Sequence, residues 1–277
     1  MKIINLIEDT MGRPGCVTAH GLSLYIETAK HTILMDLGPG ESTLANALAL
    51  DIDLNTVDIV VVSHGHYDHA GGVLPFTGIN DHAVIYMQKP ATGEFYAEEM
   101  SEEDDKQYRY IGMDDGVAKL SQVRFLEGDC VIDEELEIFT VKDRKRKIPF
   151  TNQRLFVKTA NGYVQDDFSH EQYLVVKEGN KSLLLSGCAH NGILNIMDTY
   201  QERYASCPDM VISGFHINQS VYNMDELDEI SRMAGELKKF PTKFVTCHCT
   251  GEVAHDLMNK VMDNRLGYLR CGETVTL

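Results

Sequence analysis

Residues 63–69 read SHGHYDH, so three imidazoles and one carboxylate lie within six residues, at His64, His66, Asp68 and His69. Imidazole nitrogens and carboxylate oxygens are ligands that suit zinc, iron or manganese. The cluster directly follows the apolar run at 59–62 and precedes two glycines. An exposed histidine-rich loop is the simpler alternative, but such loops rarely follow a buried strand with this density of ligand types. The pattern therefore predicts a metal site.

Three further histidines, His190, His216 and His248, each follow an apolar strand-like run and a small residue. A lone histidine in this context is more often a packed core residue than a ligand. Because the context occurs three times beside the first cluster, we expect these side chains to complete the site. His170 is a rival to His190, and we favour His190.

The elements that must position these residues are predicted from periodicity. The first sixty residues read as three short strands, a helix from Ser42 and a strand at 59–62, which we expect to be buried on both faces. The last third alternates helices at 191–204, 224–240 and 248–262 with strands at 209–213 and 243–247. Functional residues collect just past the strand ends in such α/β sheets.

Residues 88–122 differ in amino-acid composition from the rest of the chain. They are acidic and aromatic and contain few β-branched residues. This composition suggests a segment that leaves the core, termed the excursion. We expect the excursion to be helical and to cover the site. No repeat or low-complexity linker marks a domain boundary, so we interpret 1–277 as one domain with this excursion inserted.

The charge balance restricts the partners. The formal net charge is −17, with 42 acidic and 25 basic side chains, and non-specific nucleic-acid binding needs a basic surface. We therefore expect a small-molecule substrate and no nucleic acid. A phosphorylated substrate would need neutralisation by metal ions or by basic residues. The basic run at 142–147 is one candidate, although a solvated loop is the favoured interpretation.

Membrane insertion and export are not expected. No apolar run approaches the ~20 residues that span a bilayer, and the first ten residues read as a strand with two acidic side chains rather than a signal peptide. The seven cysteines are irregularly spaced, which does not suggest a disulfide framework in a chain of this size. A cytoplasmic protein is the expectation.

The segment SHGHYDHAGG resembles the H-x-H-x-D-H motif of the metallo-β-lactamase superfamily. Three other segments, SGCAHNGILNI, SGFHIN and TCHCTG, resemble the subgroup named after the archaeal dihydropterin–ribofuranosylaminobenzene phosphate synthase. The openings at 19–23 and 35–38 fit that subgroup as well. The resemblance covers nearly the whole chain. It implies an α/β fold, the αββα four-layer sandwich, with a dinuclear metal site at one edge of the sheets.

The resemblance also implies roles for individual residues. His64 and His66 would bind one metal ion, and Asp68 and His69 the other. His190 and His248 would add one ligand to each ion. Asp36, at the end of its strand, would accept an N–H from a ligand histidine and hold its tautomer.

The chain departs from the broader superfamily at Cys188, where many members have an aspartate that bridges the metals. Cys188 is either a packed thiol or a soft ligand, and we favour the packed thiol because buried free cysteine is common. Because the bridging carboxylate is missing, the sequence leaves open whether the site binds one divalent ion or two. Zinc is expected first, with manganese and iron as alternatives. At the position of His170 the subgroup usually has an acidic pair, which only Glu171 matches.

The function implied is a metal-dependent hydrolase that uses metal-activated water on a small phosphoester or related ester. Asp68 would orient the nucleophile, and His216 would contact the developing oxyanion or protonate the leaving group. One alternative is a transferase that condenses a pterin diphosphate with an aminobenzene ribose phosphate. Another is a non-catalytic metal-binding or redox module. Flavo-diiron relatives carry glutamate at the position of His66, and this difference argues against a redox function. The oligomeric state stays open.

Overall fold

Two seven-stranded β-sheets form the centre of the computed structural model, which describes residues 1–100 and 106–277. The first sheet is built mostly from the N-terminal half of the chain. Its strands, from one edge to the other, are β18 (Thr274–Thr276), β1 (Lys2–Ile7), β2 (Ser23–Glu27), β3 (Thr32–Met35), β4 (Ile59–Val61), β5 (Val84–Gln88) and β8 (Val123–Leu126). Pairing is antiparallel from β18 to β3 and parallel from β3 to β8.

The second sheet uses the C-terminal half. Its strands, in order, are β17 (Gly267–Tyr268), β16 (Lys243–Thr246), β15 (Met210–Ser213), β14 (Lys181–Leu185), β13 (Tyr173–Glu178), β10 (Leu136–Phe139) and β9 (Cys130–Val131). The hairpin between β13 and β14 and the parallel strands β14, β15 and β16 bring three strand ends to one edge. Polar residues that follow these strands are thereby gathered.

Helices cover the outer faces of both sheets. The helices are α1 (Ser42–Ala49), α2 (Tyr67–Ala70), α3 (Val73–Thr77), α4 (Ile193–Tyr204), α5 (Met224–Leu237) and α6 (Glu252–Val261). One apolar core lies between the first sheet and helices α1 to α3, one between the two sheets, and one between the second sheet and α4 to α6. These layers confirm the predicted αββα sandwich.

The expected burial of the strand at 59–62 on both faces is confirmed. Val60 and Val62 belong to the core under the first helices, whereas Ile59 and Val61 belong to the core between the sheets. Full burial of one such side chain contributes about 1.5–3 kcal/mol. The loop that carries the histidine cluster therefore starts from a firmly held strand.

The helical expectation for 88–122 is wrong. Strands β6 (Phe95–Met100) and β7 (Lys106–Tyr110) join β11 (Leu155–Thr159) and β12 (Gly162–Gln165) in a four-stranded sheet of order β12-β11-β6-β7. Alternation decides this: Phe95 and Ala97 pack into a small core, and Tyr96 points to the opposite face. Residues 101–105, within the same stretch, lie outside the described residues.

The basic run at 142–147 lies in a loop, as favoured from the sequence. Acidic groups of α4 and α5 pair with it: Lys145 contacts Glu202, and Arg146 lies 2.9 Å from Asp198. Lys145 and Arg146 are therefore locally neutralised, whereas Arg144 donates to the uncharged oxygens of Asn191 and of the Asp167 main chain. Within 1–100 and 106–277, no helix is long and apolar enough to cross a membrane.

Candidate metal centre

The histidine cluster begins where β4 ends and continues into α2, so its four predicted ligands are held by a tight loop. Gly65 allows the loop to pass close to a neighbouring segment, because a Cβ there would lie 2.2 Å from the main-chain oxygen of Ala91. A larger residue would push the loop outward. The four side chains are buried, at 7% exposure or less.

One group of side chains, His64, His66 and His190, is termed the histidine half. Their ligand atoms lie within 4.8 Å of one another, and Nε2 of His64 is 3.3 Å from Nε2 of His190. Nδ1 of His64 is 2.8 Å from Oγ of Ser63, and Nδ1 of His190 is 3.0 Å from Oδ1 of Asn152. Both outer partners are uncharged.

The other group, Asp68, His69 and His248, is termed the carboxylate half. Nε2 of His69 and Nε2 of His248 are 3.3 Å apart, and Oδ2 of Asp68 lies 3.6 and 3.4 Å from them. Nδ1 of His69 is 2.7 Å from Oδ2 of Asp36, as the resemblance implied. Nδ1 of His248 is 2.6 Å from Oδ2 of Asp9. Both outer partners are carboxylates.

The hydrogen-bond partners assign the tautomers. The Ser63 hydroxyl donates to Asp36, so Oγ of Ser63 accepts the N–H of His64. The Asn152 amide donates to the main-chain oxygen of His190, so its oxygen accepts the N–H of that ring. The Asp36 carboxylate accepts the Nδ1–H of His69 in the same way. The Nε2 atoms of these rings consequently face inward, which is the orientation that metal ligation requires.

The donor set fits a divalent cation. Nε2 of His66 is buried and has no hydrogen-bond partner in the described part of the chain. The Nε2 atoms of His64 and His190 lie 3.3 Å apart, and a divalent cation would accept the lone pairs of both neutral rings. Nitrogen and carboxylate donors in two adjacent sets suit zinc, manganese or iron.

Electrostatics differ between the halves. Burial lowers the pKa of His64 and of His190 well below the usual value, and the neighbouring histidines add to this effect. Burial also lowers the pKa of His66. In the carboxylate half, burial would lower the pKa of His69, but Asp36 and Asp68 outweigh it and raise the pKa.

Neighbouring charged groups also outweigh burial in setting the pKa values of the other two members of the carboxylate half. For His248, burial is outweighed by the sulfur of Cys249 and by Asp68 and Asp9, so the pKa is raised well above its usual value. For Asp68, burial is outweighed by His69 and His248, so the pKa falls far below that of a free carboxyl. Asp68 is therefore ionised at neutral pH.

Several strand-end residues next to the site have left-handed backbone. The φ angles are 61° at Asp36, 55° at Ala189, 46° at His216 and 48° at His248. Non-glycine residues rarely adopt this conformation, and it is found preferentially at functional sites. The bends redirect the side chains that follow the strands.

Cys188 lies next to the carboxylate half, with Sγ 3.1 Å from Nε2 of His69. It is 2% exposed, and burial raises the pKa of its thiol well above the usual value. Its sulfur also lies within 4.8 Å of ligand atoms of His64 and His69, so the packed thiol favoured from the sequence stays a prediction. His216 lies beside the histidine half, with its ring centre 4.2 Å from that of His190.

The rival His170 uses both ring nitrogens in the protein. Its Nδ1 accepts the main-chain N–H of Gly65 at 3.0 Å, and its Nε2 is 3.1 Å from Oδ2 of Asp166. The ring therefore supports the loop rather than offering a lone pair to the centre. Its neighbour Glu171 accepts the main-chain N–H of His190 at 2.7 Å.

Sequence reasoning missed Asp9 and His20 as parts of the site. Asp9 was read only as evidence against a signal peptide, and His20 only as part of the family's opening. The Asp9 carboxylate contacts both rings, at 2.8 Å from Nδ1 of His20 and 2.6 Å from Nδ1 of His248. The acidic pair after the first strand was the available signal.

A cleft of about 280 Å³ lies beside the centre. Its walls come from the four-stranded sheet and from the loops after β15 and β16. Lining residues are His20, Ala97, Glu99, Arg109, Thr151, Gln153, Arg154, Leu155, His216, Asn218, Gln219 and Cys249. The excursion therefore contributes a wall of the cleft.

Comparison with known proteins agrees with this architecture. The chain is 26% identical to the uncharacterized protein MJ0448 of Methanocaldococcus jannaschii, over 90% of this chain and 91% of that protein. It is also 26% identical to the 7,8-dihydropterin-6-methyl-4-(beta-D-ribofuranosyl)-aminobenzene-5'-phosphate synthase of the same organism, over 99% and 96%.

Among solved structures, the chain is similar to Tm1679, described as a metal-dependent hydrolase of the beta-lactamase superfamily. The TM-score is 0.81 at 29% identity, covering 100% of this chain and 99% of the other. The sequence-family model of the metallo-beta-lactamase superfamily matches residues 18–235 of this chain. The chain belongs to the metallo-β-lactamase superfamily.

Proposed function

We propose that the protein is a metal-dependent hydrolase of a small phosphoester or a related ester. The observation that carries this proposal is the convergence of histidine Nε2 atoms in two adjacent halves, beside a cleft wide enough for a small molecule. When bound, divalent ions supply Lewis acidity, which lowers the pKa of water and polarises a substrate oxygen.

The residues that would hold the ions divide between the halves. His64, His66 and His190 would hold one ion, and Asp68, His69 and His248 the other. Zinc is the first expectation, with manganese or iron as alternatives, because all three accept imidazole and carboxylate ligands. One or two ions per chain are compatible with the proposal.

Asp68 has a second role in the proposal. Its ionised Oδ2 lies 3.5 Å from Nε2 of His20 and faces the ligand histidines. A carboxylate there accepts a hydrogen bond from the attacking water and so fixes its direction. His20, which is 58% exposed at its side chain, lies between this carboxylate and the cleft.

His216 would act on the leaving-group side. Its Nδ1 is buried and has no hydrogen-bond partner among residues 1–100 and 106–277, while the hydroxyl of Thr151 donates to its main-chain oxygen. The backbone of His216 is thus fixed at the cleft wall, while its Nδ1 is left without a partner. From there the ring would hydrogen-bond a developing oxyanion or transfer a proton to the leaving oxygen.

The proposal is tested first by metal content and then by turnover. Elemental analysis of tag-free protein should give one or two ions per chain. The loaded protein should release nitrophenol from bis(4-nitrophenyl) phosphate, and a chelator should abolish the release. Metal-loaded protein that hydrolyses no ester would contradict the proposal.

A variant pair separates catalysis from metal binding. We expect His216→Gln to lower kcat by about 10²- to 10⁴-fold, as for loss of a general acid or base, with unchanged metal content. His82→Gln is the matched control, because the His82 side chain is exposed and, among residues 1–100 and 106–277, pairs with Asp81 alone. Equal turnover by both variants would remove His216 from the mechanism.

A transferase is the second candidate, supported by similarity to the archaeal synthase over 99% of this chain. The same centre would then stabilise a diphosphate leaving group instead of activating water. Diphosphate release that requires both a pterin diphosphate and an aminobenzene ribose phosphate would favour it. Failure of that assay, together with ester hydrolysis, would leave the hydrolase.

A further inference from the structure

The face of the four-stranded sheet that lines the cleft can be identified from its register. Arg109 on β7 lies opposite Ala97 on β6, and Ala97 lies opposite Leu155 on β11. Directly paired residues point to the same face of a sheet. Arg109 therefore shares the cleft-lining face with Ala97 and Leu155, and Arg154 stands at the start of β11 and lines the same cleft.

Both arginines belong to segments that are tied to the metal centre. The main-chain N–H of Tyr67 donates to the oxygen of Ile111 at 2.8 Å, two residues beyond Arg109. The guanidinium carbon of Arg109 lies 5.9 Å from the centre of the Tyr67 ring. Arg154 lies three residues after Thr151, whose hydroxyl donates to the main chain of His216. The arginines thus have defined positions relative to the site.

The positive charge of this wall is only partly balanced. Nε of Arg109 lies 2.6 Å from Oε1 of Glu99 in a half-exposed pair, and such pairs are weak. Arg154 donates Nε and Nη2 to the main-chain oxygen of Glu98, at 3.0 and 2.9 Å, which is an uncharged acceptor. In the described part of the chain no ion pair involves Arg154, and Glu99 is the only carboxylate paired with Arg109.

The basic run at 142–147 shows the contrasting case. Lys145 and Arg146 are paired with acidic residues of α4 and do not line the cleft. In a chain with a net charge of −17, two guanidinium groups with one paired carboxylate on a cleft wall are a specific anion-binding feature. A guanidinium matches the paired oxygens of carboxylate and phosphate groups.

We infer that Arg109 and Arg154 bind a second anionic group of the substrate, a carboxylate or a phosphate, while the reacting group lies at the metal centre. The substrate therefore carries at least two anionic groups. This inference rests on the proposed function only in using the same cleft and centre. Arg109 and Arg154 determine specificity and take no part in bond cleavage.

Calorimetry on the metal-loaded protein tests the inference without turnover. Phenylphosphonate supplies one anionic group for the centre, and its 3- and 4-carboxy and 3- and 4-phosphono derivatives supply a second at two spacings. We expect at least one derivative to bind about tenfold more tightly than phenylphosphonate, because its second anionic group forms hydrogen bonds with the charged guanidinium groups. The carboxy and phosphono arms show which anion is preferred.

The variants Arg109→Gln, Arg154→Gln and their combination should reduce this preference, and the double variant should abolish it. Glutamine keeps a donor for the Glu98 oxygen. Arg124→Gln is the control, because Arg124 is exposed on β8, donates to the main-chain oxygens of Ser121 and Val123 and does not line the cleft. Circular dichroism and metal content establish that each variant is folded and loaded.

Two results would overturn the inference: no derivative binds more tightly than phenylphosphonate, or the double variant keeps the wild-type preference. The hydrolase proposal fails by a different result, namely loaded protein that cleaves no ester. A ligand preference that depends on the two arginines supports the inference even then. The two failures are therefore distinguishable.

Discussion

The histidine half and the carboxylate half contain similar ligands but have different outer partners. Ser63 and Asn152 hold the rings of His64 and His190 through uncharged oxygens. Asp36 and Asp9 hold the rings of the carboxylate half through charged ones. Burial lowers the histidine pKa values of the first half. In the second half the sulfur of Cys249 and the carboxylates of Asp68, Asp36 and Asp9 outweigh burial and raise them. The charged groups around each half, outer partners among them, therefore determine the charge that its histidines tolerate.

The largest expected effect is from Asp68→Asn, which removes the only anionic ligand of the carboxylate half. We expect metal affinity to fall by more than the ~10–100-fold that loss of an outer partner costs. Competition with a chromogenic chelator measures the change. Asp256→Asn is the control, since that carboxylate is exposed and pairs with the neighbouring His255. If Asp68→Asn bound metal with wild-type affinity, Asp68 would not be a ligand, and the proposed difference between the halves would be wrong.

A second comparison tests the outer partners directly. Asp9→Asn should weaken metal binding by about 10–100-fold, because the charged acceptor of the His248 N–H becomes neutral. Asn152→Ala should weaken it by less than ~10-fold, because a neutral hydrogen bond contributes about 1 kcal/mol. The same chelator titration measures both. Equal losses would mean that the charge of the outer partner is unimportant.

The pH dependence of the metal-free protein should have opposite signs in the two halves. His64 and His190 have lowered pKa values, so the unfolded chain binds more protons and stability falls as the pH drops below ~6.5. The raised pKa values of His69 and His248 give stability that is present below ~6.5 and is lost as the pH rises through their folded pKa.

Urea unfolding at several pH values separates these contributions. His190→Gln should reduce the loss of unfolding free energy on acidification, because one titrating group of the histidine half is removed. His248→Gln should instead reduce the loss that the wild-type protein suffers as the pH rises. Parallel pH profiles for the two variants would show that the halves do not differ in this way.

The smallest effect is expected at Cys188, between the two halves. Cys188→Ala should cost about 1 kcal/mol of unfolding free energy through the small cavity and leave the number of bound ions unchanged. The absorption spectrum of the cobalt-substituted protein should also be unchanged. Loss of a sulfur-to-cobalt charge-transfer band in the variant would instead make Cys188 a ligand, joining the halves where a bridging aspartate is missing.

The cluster at 63–69 could be recognised from residue types alone, because its members are adjacent in the chain. The strand-end context of His190, His216 and His248 was also informative, since parallel strands end at one edge of a sheet. The excursion was misjudged because its acidic composition obscured the alternation of Phe95, Tyr96 and Ala97. Pairing with β11, distant in sequence, decides that these residues form a strand.

The family and the layered fold followed from short segments of fixed spacing or periodicity, and the same segments predict the donor set. Only the tertiary structure decided that Asp9 reaches His248, 239 positions away, and that His170 uses both nitrogens within the protein. It also decided that Arg109 and Arg154 share a cleft wall. These contacts depend on sheet order and loop packing, which no local pattern encodes.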